Sequence, residues 1–130
     1  GVRSFIDQLE ADGVPMAIAS SSATPLIEAV IKTHNLPITV YASGSELGLS
    51  KPHPEVFLQA AKLLCADPWQ VLIIEDSVNG TIAGKAASMS VAVVPESFPP
   101  RAELAIANHA FESMIDVHDF YRQGVFDYLA

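Results

Sequence analysis

Short apolar runs alternate with segments of helical periodicity along the chain, and this alternation constrains its fold more than any other feature. A run such as Val71–Ile74 is too short for a helix and has the aliphatic composition of a strand buried in a parallel sheet. Consecutive parallel strands need a crossover connection, which is usually a helix. The pattern therefore predicts an α/β fold with a mostly parallel sheet.

The periodicities divide the chain into predicted helices and strands. We expect helices over about 2–12, from an N-cap at Thr24 to about His34, after Pro54, over about 78–88, near 101–107 and from about 116. We expect strands over Met16–Ala19, Thr39–Ala42, Val71–Ile74 and Ser90–Val94, and a short one near 110. Val71–Ile74 is predicted to be the most buried strand, and Ser43–Ser50, with two glycines, is predicted to be a loop.

Composition excludes several classes of protein. With 50% hydrophobic and 17% charged residues, the 130-residue chain is expected to form one packed domain. Its net charge of −8 argues against nucleic-acid binding through a basic surface, and its apolar runs are far shorter than the ~20 residues of a membrane span. Because a single cysteine cannot form an internal disulfide and no leader precedes the first helix, we expect a cytoplasmic setting.

Polar residues that suit phosphate and metal chemistry follow the predicted strands. Ser20 follows the first strand, Glu75 and Asp76 follow the strand Val71–Ile74, and Lys51 stands at a helix entrance. In open parallel sheets, ligands bind outside the carboxyl ends of the strands, so these residues could share one site. Hydroxyl and ammonium groups bind phosphate oxygens, and carboxylates are suitable ligands for Mg²⁺.

Each of these residues also has a purely structural interpretation. The serines Ser20–Ser22 could be turn and capping residues, and Lys51 alone could be a solvated surface cation. Asp76 and Ser77 could cap the following helix. The adjacent carboxylates are the hardest to explain structurally, because they place charge directly beside the core.

Three strings occur in the order and with the spacing of a known set of motifs: AIASSS, SKPHPEVF and IIEDSVNG. They resemble the second, third and fourth motifs of the haloacid dehalogenase superfamily, in the subgroup of small-sugar phosphatases and β-phosphoglucomutase-like enzymes. The resemblance spans about 15–95 and implies a Rossmann-like three-layer sandwich. It also implies that the intact enzyme is a Mg²⁺-dependent phosphatase that hydrolyses a small sugar or polyol phosphate through an aspartyl-phosphate.

The resemblance also implies roles for individual residues. Ser20 would bind the transferring phosphoryl group, and Lys51 would neutralise its charge and orient the nucleophile. Asp76 would hold Mg²⁺ directly, and Glu75 would support the metal shell or its waters. The remaining predicted substrate-binding residues are Ser21 and Ser22.

The chain departs from the family pattern in one respect. Family members begin with a strand ending in an Asp-x-Asp motif that supplies the nucleophile, followed by a helical cap domain, and this chain has neither. In the family that strand lies between the strands that here end near Ser20 and Asp76. We therefore expect residues 1–130 to be the C-terminal part of a core domain, inactive alone, whose central strand is supplied by a preceding segment or by a second chain.

Three other functions stay open at this point. A β-phosphoglucomutase-like phosphomutase would use the same residues, and a non-catalytic fragment of the same fold would bind a partner instead. A signalling receiver domain also places acidic residues, a hydroxyl and a lysine around Mg²⁺. There the acidic pair comes first in the chain, whereas here Lys51 precedes it.

Several residues are expected to have structural roles only. Cys65 is predicted to be a buried small hydrophobe, and Trp69 to pack over a helix–strand junction. The histidines lack ligand spacing and are expected at helix ends or on the surface: His34, His53, His109 and His118. The aromatic residues of the tail are expected to dock on the core or to mark a subunit contact: Tyr121, Phe126 and Tyr128.

Overall fold

The computed structural model of the protein describes residues 1–124 as an α/β fold with five parallel strands. The helices are α1 (Val2–Ala11), α2 (Thr24–Thr33), α3 (Gly44–Leu47), α4 (Glu55–Leu63), α5 (Val78–Ala86) and α6 (Met114–Arg122). The strands are β1 (Ala17–Ser20), β2 (Val40–Ser43), β3 (Leu72–Glu75), β4 (Ser90–Val93) and β5 (His109–Ala110). Short 3-10 helices cover Pro68–Gln70 and Ala102–Ile106. The predicted parallel α/β architecture is confirmed.

The strands form two separate sheets rather than one. Strand β1 pairs with β2, with Ser20 opposite Ser43, and β3–β4–β5 form the second sheet, with Glu75 opposite Val93. Among the described strands, β1 and β3 each have only one hydrogen-bonded neighbour. Lys51 contacts both the end of β1 and the end of β3, so these two strands lie on either side of the division, where the family resemblance predicts a missing central strand.

The core lies under α4 and α5. Val56 and Phe57 of α4 and Ala83 of α5 pack with Ile73 of β3 and Val91 of β4. Helix α4 contacts both β1 and β2 and also packs against α5. This helix therefore links the two sheets, and its hydrophobic face accounts for much of the burial that stabilises the chain.

The prediction that β3 is the most buried strand is wrong. Ile73 is buried, but Ile74 on the other face of β3 is 36% exposed. The most buried strand is β4, in which Val91, Ala92 and Val93 are completely buried. The physical reason is the position in the sheet, since among the described strands β4 has a hydrogen-bonded neighbour at both edges and β3 at one.

Three helices begin at positions that differ from the sequence predictions, two of them at a hydroxyl cap. Helix α2 begins at Thr24, so Ala23 and not Thr24 is its N-cap. The predicted loop 43–50 contains α3, because the hydroxyl of Ser43 accepts a hydrogen bond from the backbone N–H of Glu46. Similarly, the hydroxyl of Ser113 caps α6, which begins at Met114 rather than about 116.

Two residues expected to pack are exposed. Cys65 is exposed and has a φ of 56°, because it is the left-handed residue that ends α4 one position beyond the C-cap Leu64. A side chain at that position points away from the helix–sheet interface. Trp69 lies in the 3-10 helix before β3 and is 64% exposed, so it does not cover the junction.

The histidine predictions are only half correct. His34 ends α2 and His53 lies in the loop before α4, and both are exposed as expected. His109 instead lies in β5 beside the rings of Phe111 and Phe120. His118 is buried at the interface of α6 with α1, where its ring lies 5.5 Å from that of Phe5.

Tyr121 docks α6 on the N-terminal helix. Its ring packs edge-on against Phe5, and its O–H donates a hydrogen bond of 2.6 Å to the Asp12 carboxylate. This agrees with the expectation that the tail docks on the core. Phe126 and Tyr128 lie outside the described residues. Within the part of the chain that the structure describes, no helix is both long and apolar enough to cross a bilayer.

Candidate functional site

The carboxyl ends of the two sheets present polar side chains at the same edge of the molecule. Ser20 ends β1, Ser43 ends β2 and Glu75 ends β3, and parallel strands bring such ends together. Lys51 lies in the loop between α3 and α4. The site is therefore built by three strand ends and one loop.

Lys51 connects the two sheets. Its Nζ donates to the carbonyl oxygen of Ala19 at 3.3 Å and to Oε2 of Glu75 at 3.0 Å. The ammonium also lies 4.9 Å from the centre of the Phe57 ring, within the range of a cation–π interaction. The lysine is thus fixed between the ends of β1 and β3, and its side chain is only 16% exposed.

Glu75 is held by hydrogen bonds to both of its carboxylate oxygens. Oε1 accepts from the backbone N–H groups of Asp76 and Ser77 and from the Ser77 hydroxyl, while Oε2 pairs with Lys51. Burial raises the pKa of Glu75, but the Lys51 ammonium and the bond from Asp76 together outweigh burial and hold the pKa below its usual range. Glu75 is therefore a carboxylate at neutral pH.

Asp76 is exposed beside this pair. Its interaction with the Glu75 carboxylate, burial of its inner side and the neighbouring negative charge raise the pKa of Asp76 above its usual range. Two adjacent carboxylates with one cation on their inner side favour a second cation on the outer side. Among residues 1–124, however, no group of three or more His, Cys, Asp or Glu side chains is close enough to hold a metal ion.

The serines after β1 form a compact turn. The hydroxyl oxygen of Ser20 accepts a hydrogen bond of 3.0 Å from the backbone N–H of Ser22. The buried Ser43 hydroxyl donates to the carbonyl oxygen of Ser22 at 2.7 Å. Ser21 is exposed at the tip of the turn. Beside it, a cavity of about 130 Å³ is lined by Ile18, Ser20, Ser22, Leu26, Ile27 and Val30.

The structure joins Lys51 and Glu75 directly and places Ser20 and Asp76 next to the groups that Lys51 contacts. Ser20 follows the carbonyl of Ala19, and Asp76 follows Glu75. The interpretation that Asp76 and Ser77 cap the next helix is confirmed for Ser77, whose hydroxyl is the N-cap group of α5, and not for Asp76.

The sequence analysis does not place Ser43 at the site, and it does not predict the bond of Ser77 to Glu75. Ser43 anchors the serine turn, and Ser77 both caps α5 and donates to Glu75. The sequence signal for Ser43 was present, because Ser43 and Glu46 have the Ser-x-x-Glu spacing of a capping box. The sequence predicts the capping role of Ser77, but the bond of its hydroxyl to the Glu75 carboxylate depends on the turn geometry.

Comparison with known proteins identifies relatives that are phosphatases. The chain is 40% identical over 121 residues to the bifunctional riboflavin kinase/FMN phosphatase of Arabidopsis thaliana, a match covering 90% of this chain and 32% of that protein. It is 40% identical over 97 residues to hexitol phosphatase B of Escherichia coli, covering 73% of this chain and 44% of that protein. The chain therefore spans less than half of the length of either relative.

A solved structure and a family model also match this chain. The structure of CbbY from Rhodobacter sphaeroides in complex with phosphate matches the chain with a TM-score of 0.80 and 25% identity, covering 90% of this chain and 54% of that one. The family model of the haloacid dehalogenase-like hydrolases matches residues 1–94. The chain belongs to the haloacid dehalogenase-like hydrolase family.

Proposed function

We propose that this chain supplies the phosphate- and metal-binding half of the active site of a phosphatase that acts on a small sugar or polyol phosphate. The observation that carries the proposal is the Lys51 ammonium, held between the end of β1 and Glu75 at the end of β3. Hexitol phosphatase B and the FMN phosphatase support this class of reaction. The CbbY structure with bound phosphate supports the phosphate site.

Lys51 and the serine turn have donors left for a phosphate group. The lysine ammonium has three N–H donors, and its two contacts in the structure leave one for a phosphate oxygen. The Ser20 hydroxyl oxygen accepts from Ser22, so its O–H is directed elsewhere and can donate. The exposed Ser21 and the half-buried Ser22 precede the N-terminus of α2, where the helix dipole favours an anion. We propose these residues as the binding groups.

Asp76 is the proposed direct ligand of Mg²⁺. Its exposed carboxylate is a hard oxygen donor beside a second carboxylate, and that donor chemistry fits Mg²⁺. Glu75 fits less well as a direct ligand, because both of its oxygens already accept hydrogen bonds, and we propose that it acts through waters of the metal shell. When bound, the metal would supply positive charge to neutralise the phosphate.

We propose that one further strand joins the two sheets into one. The facing edges of β1 and β3 lack partners among the described strands, and Leu26, Val30 and Ile74 expose apolar surface near them. We propose that a preceding segment or a second chain supplies this strand together with the attacking aspartate. We also propose that residues 1–130, as the C-terminal part of a core domain, are inactive without that strand.

The experiment that tests the function measures the binding of inorganic phosphate to the chain by ³¹P NMR, with and without Mg²⁺. We expect weak binding to this chain that Mg²⁺ strengthens and that Ser20→Ala weakens, while the exposed Ser97→Ala serves as the matched control. Equal binding by both variants would contradict the proposed site. In the complete protein, release of free phosphate from hexitol phosphates supports a phosphatase, whereas an isomeric sugar phosphate as product supports a mutase.

The exposed Cys65 agrees with a reducing setting. We therefore also propose that the protein acts in the cytoplasm.

A further inference from the structure

Gly80, in the first turn of α5, lies directly against the Glu75 carboxylate. A methyl group built at this glycine would come closer than 3.0 Å to Cγ, Cδ and Oε2 of Glu75. Outside its own helix backbone and its chain neighbours, the three heavy atoms nearest to the added carbon all belong to Glu75. The empty space at residue 80 is therefore the space that the Glu75 side chain occupies.

Backbone conformation does not explain a glycine at this position. Gly80 lies inside the helix Val78–Ala86, and it is not among the glycines with a positive φ. Alanine is favoured over glycine inside a helix by about 0.8–1.0 kcal/mol. A glycine that is unfavourable for the helix and unnecessary for the backbone has its explanation in the neighbouring side chain.

We propose that Gly80 is a positioning residue of the phosphate site: its missing side chain leaves room for the Glu75 carboxylate to hold the Lys51 ammonium. The inference rests on the proposed function only for what Lys51 binds. It adds to that function a residue that contacts neither phosphate nor metal and acts through Glu75.

A methyl group added at residue 80 must displace either the Glu75 side chain or the first turn of α5, and either displacement breaks hydrogen bonds. The Gly80 N–H donates to the Ser77 hydroxyl oxygen at 3.0 Å, which fixes the first turn of α5. The same hydroxyl donates to Oε1 of Glu75 at 3.1 Å. The end of a glutamate side chain moves more easily than backbone, so Gly80→Ala is expected to displace the carboxylate from Lys51 and to leave the helix in place.

Gly84 provides a matched control on the same helix. A methyl group there would meet Cγ2 of Val91 at 2.6 Å and Cδ1 of Ile73 at 2.8 Å, both in the core. Gly84→Ala therefore introduces a similar steric conflict without touching the acidic residues. A purely structural role for Gly80 would give the two variants the same effect on Lys51.

The test follows the Lys51 ammonium in this chain by ¹H–¹⁵N NMR of the lysine side chains, with Glu75→Gln as the reference for a lost ion pair. We expect Gly80→Ala to resemble Glu75→Gln and Gly84→Ala to resemble the unchanged protein. A folded Gly80→Ala chain with an unchanged Lys51 signal would overturn the proposal. A phosphate titration tests the proposed function separately. If the unchanged chain binds no phosphate, the proposed function is wrong, but the result on Gly80 and Lys51 still stands.

A second variant decides the outcome if Gly80→Ala does not fold. In a Glu75→Ala chain, alanine at residue 80 meets no carboxylate, so it is expected to lower the unfolding equilibrium constant about fourfold through helix propensity. In the unchanged background the same substitution is expected to raise that constant. The same change in both backgrounds, or loss of folding in the double variant alone, would show that the space does not serve Glu75.

Discussion

Replacing Lys51 by methionine is predicted to reverse the way in which Glu75 makes stability depend on pH. In the protein, the Glu75 side chain is 9% exposed and its Oε2 lies 3.0 Å from the Lys51 ammonium. Burial raises the pKa of Glu75, and Lys51 contributes the two largest opposing effects. Without the ammonium, burial dominates and the pKa of Glu75 rises above its usual value of about 4.3.

The size of the effect follows from the geometry of the pair. Breaking a fully buried ion pair costs about 3–5 kcal/mol, because one charge is left without its partner. Here three hydrogen bonds to Oε1 of Glu75 remain, and Lys51 is partly exposed. We therefore expect Lys51→Met to lower the free energy of unfolding by about 2–3 kcal/mol at pH 7.

The sign of the pH dependence differs between the two proteins. In the unchanged chain the lowered pKa of Glu75 contributes stability that is present above the unfolded pKa and is lost as pH falls through the lowered value. In Lys51→Met the pKa of Glu75 is raised, so as pH falls the folded state binds a proton at Glu75 before the unfolded state does. Its stability is then expected to increase as pH falls from the raised pKa toward the unfolded one.

The assay is urea denaturation followed by circular dichroism between pH 5 and 7.5 (about the range in which a raised Glu75 would titrate). A fixed concentration of an osmolyte keeps both proteins folded in the starting solution. Lys62→Met, at an exposed position of α4, is the control for loss of one positive charge. If the difference in the free energy of unfolding between Lys51→Met and the unchanged protein stayed constant with pH, the reasoning would be refuted.

Two further substitutions test the groups that support the site. Ser77→Ala removes the N-cap of α5 and one donor to Glu75, so urea denaturation should show that the free energy of unfolding falls by about 1–2 kcal/mol. Ser113→Ala removes only a cap, whose hydrogen bond is longer at 3.4 Å, and should cost less. Equal losses would contradict the double role of Ser77. Ser43→Ala removes the hydrogen bond to the Ser22 carbonyl. Phosphate affinity measured by ³¹P NMR should then fall about two- to tenfold, as expected for the loss of one neutral hydrogen bond. An unchanged affinity would show that the serine turn does not need this hydrogen bond.

Elements set by local patterns could be predicted from the sequence. The four aliphatic residues before Glu75 identified β3 within one residue, and the alternation of runs identified the parallel fold. Burial was harder to predict, because it depends on neighbours in the sheet. Ile74 is aliphatic but exposed, since β3 has one paired edge. Cys65 has an apolar side chain but is exposed, because it follows the end of α4 in the left-handed conformation.

That Lys51 and Glu75 lie close together could be predicted from the sequence, whereas the hydrogen bonds around them could not. Lys51 and Glu75 could be selected because ammonium and carboxylate groups at strand ends suit phosphate chemistry. That Glu75 binds Lys51 and leaves Asp76 exposed depends on the turn after β3, where Ser77 directs its hydroxyl to Oε1. The role of Gly80 depends on the distance between a helix and a side chain five residues earlier, which no pattern of residue types reports.

We propose that the ends of β1 and β3 and the Lys51 loop together bind one cation and one phosphate. Mn²⁺ replaces Mg²⁺ at oxygen sites and broadens the NMR signals of nearby nuclei. With phosphate present, Mn²⁺ is predicted to broaden the backbone signals of Ser20, Lys51 and Asp76 together, and Asp76→Asn is predicted to abolish the broadening at all three. Broadening of Asp76 alone, or broadening that survives Asp76→Asn, would contradict the account.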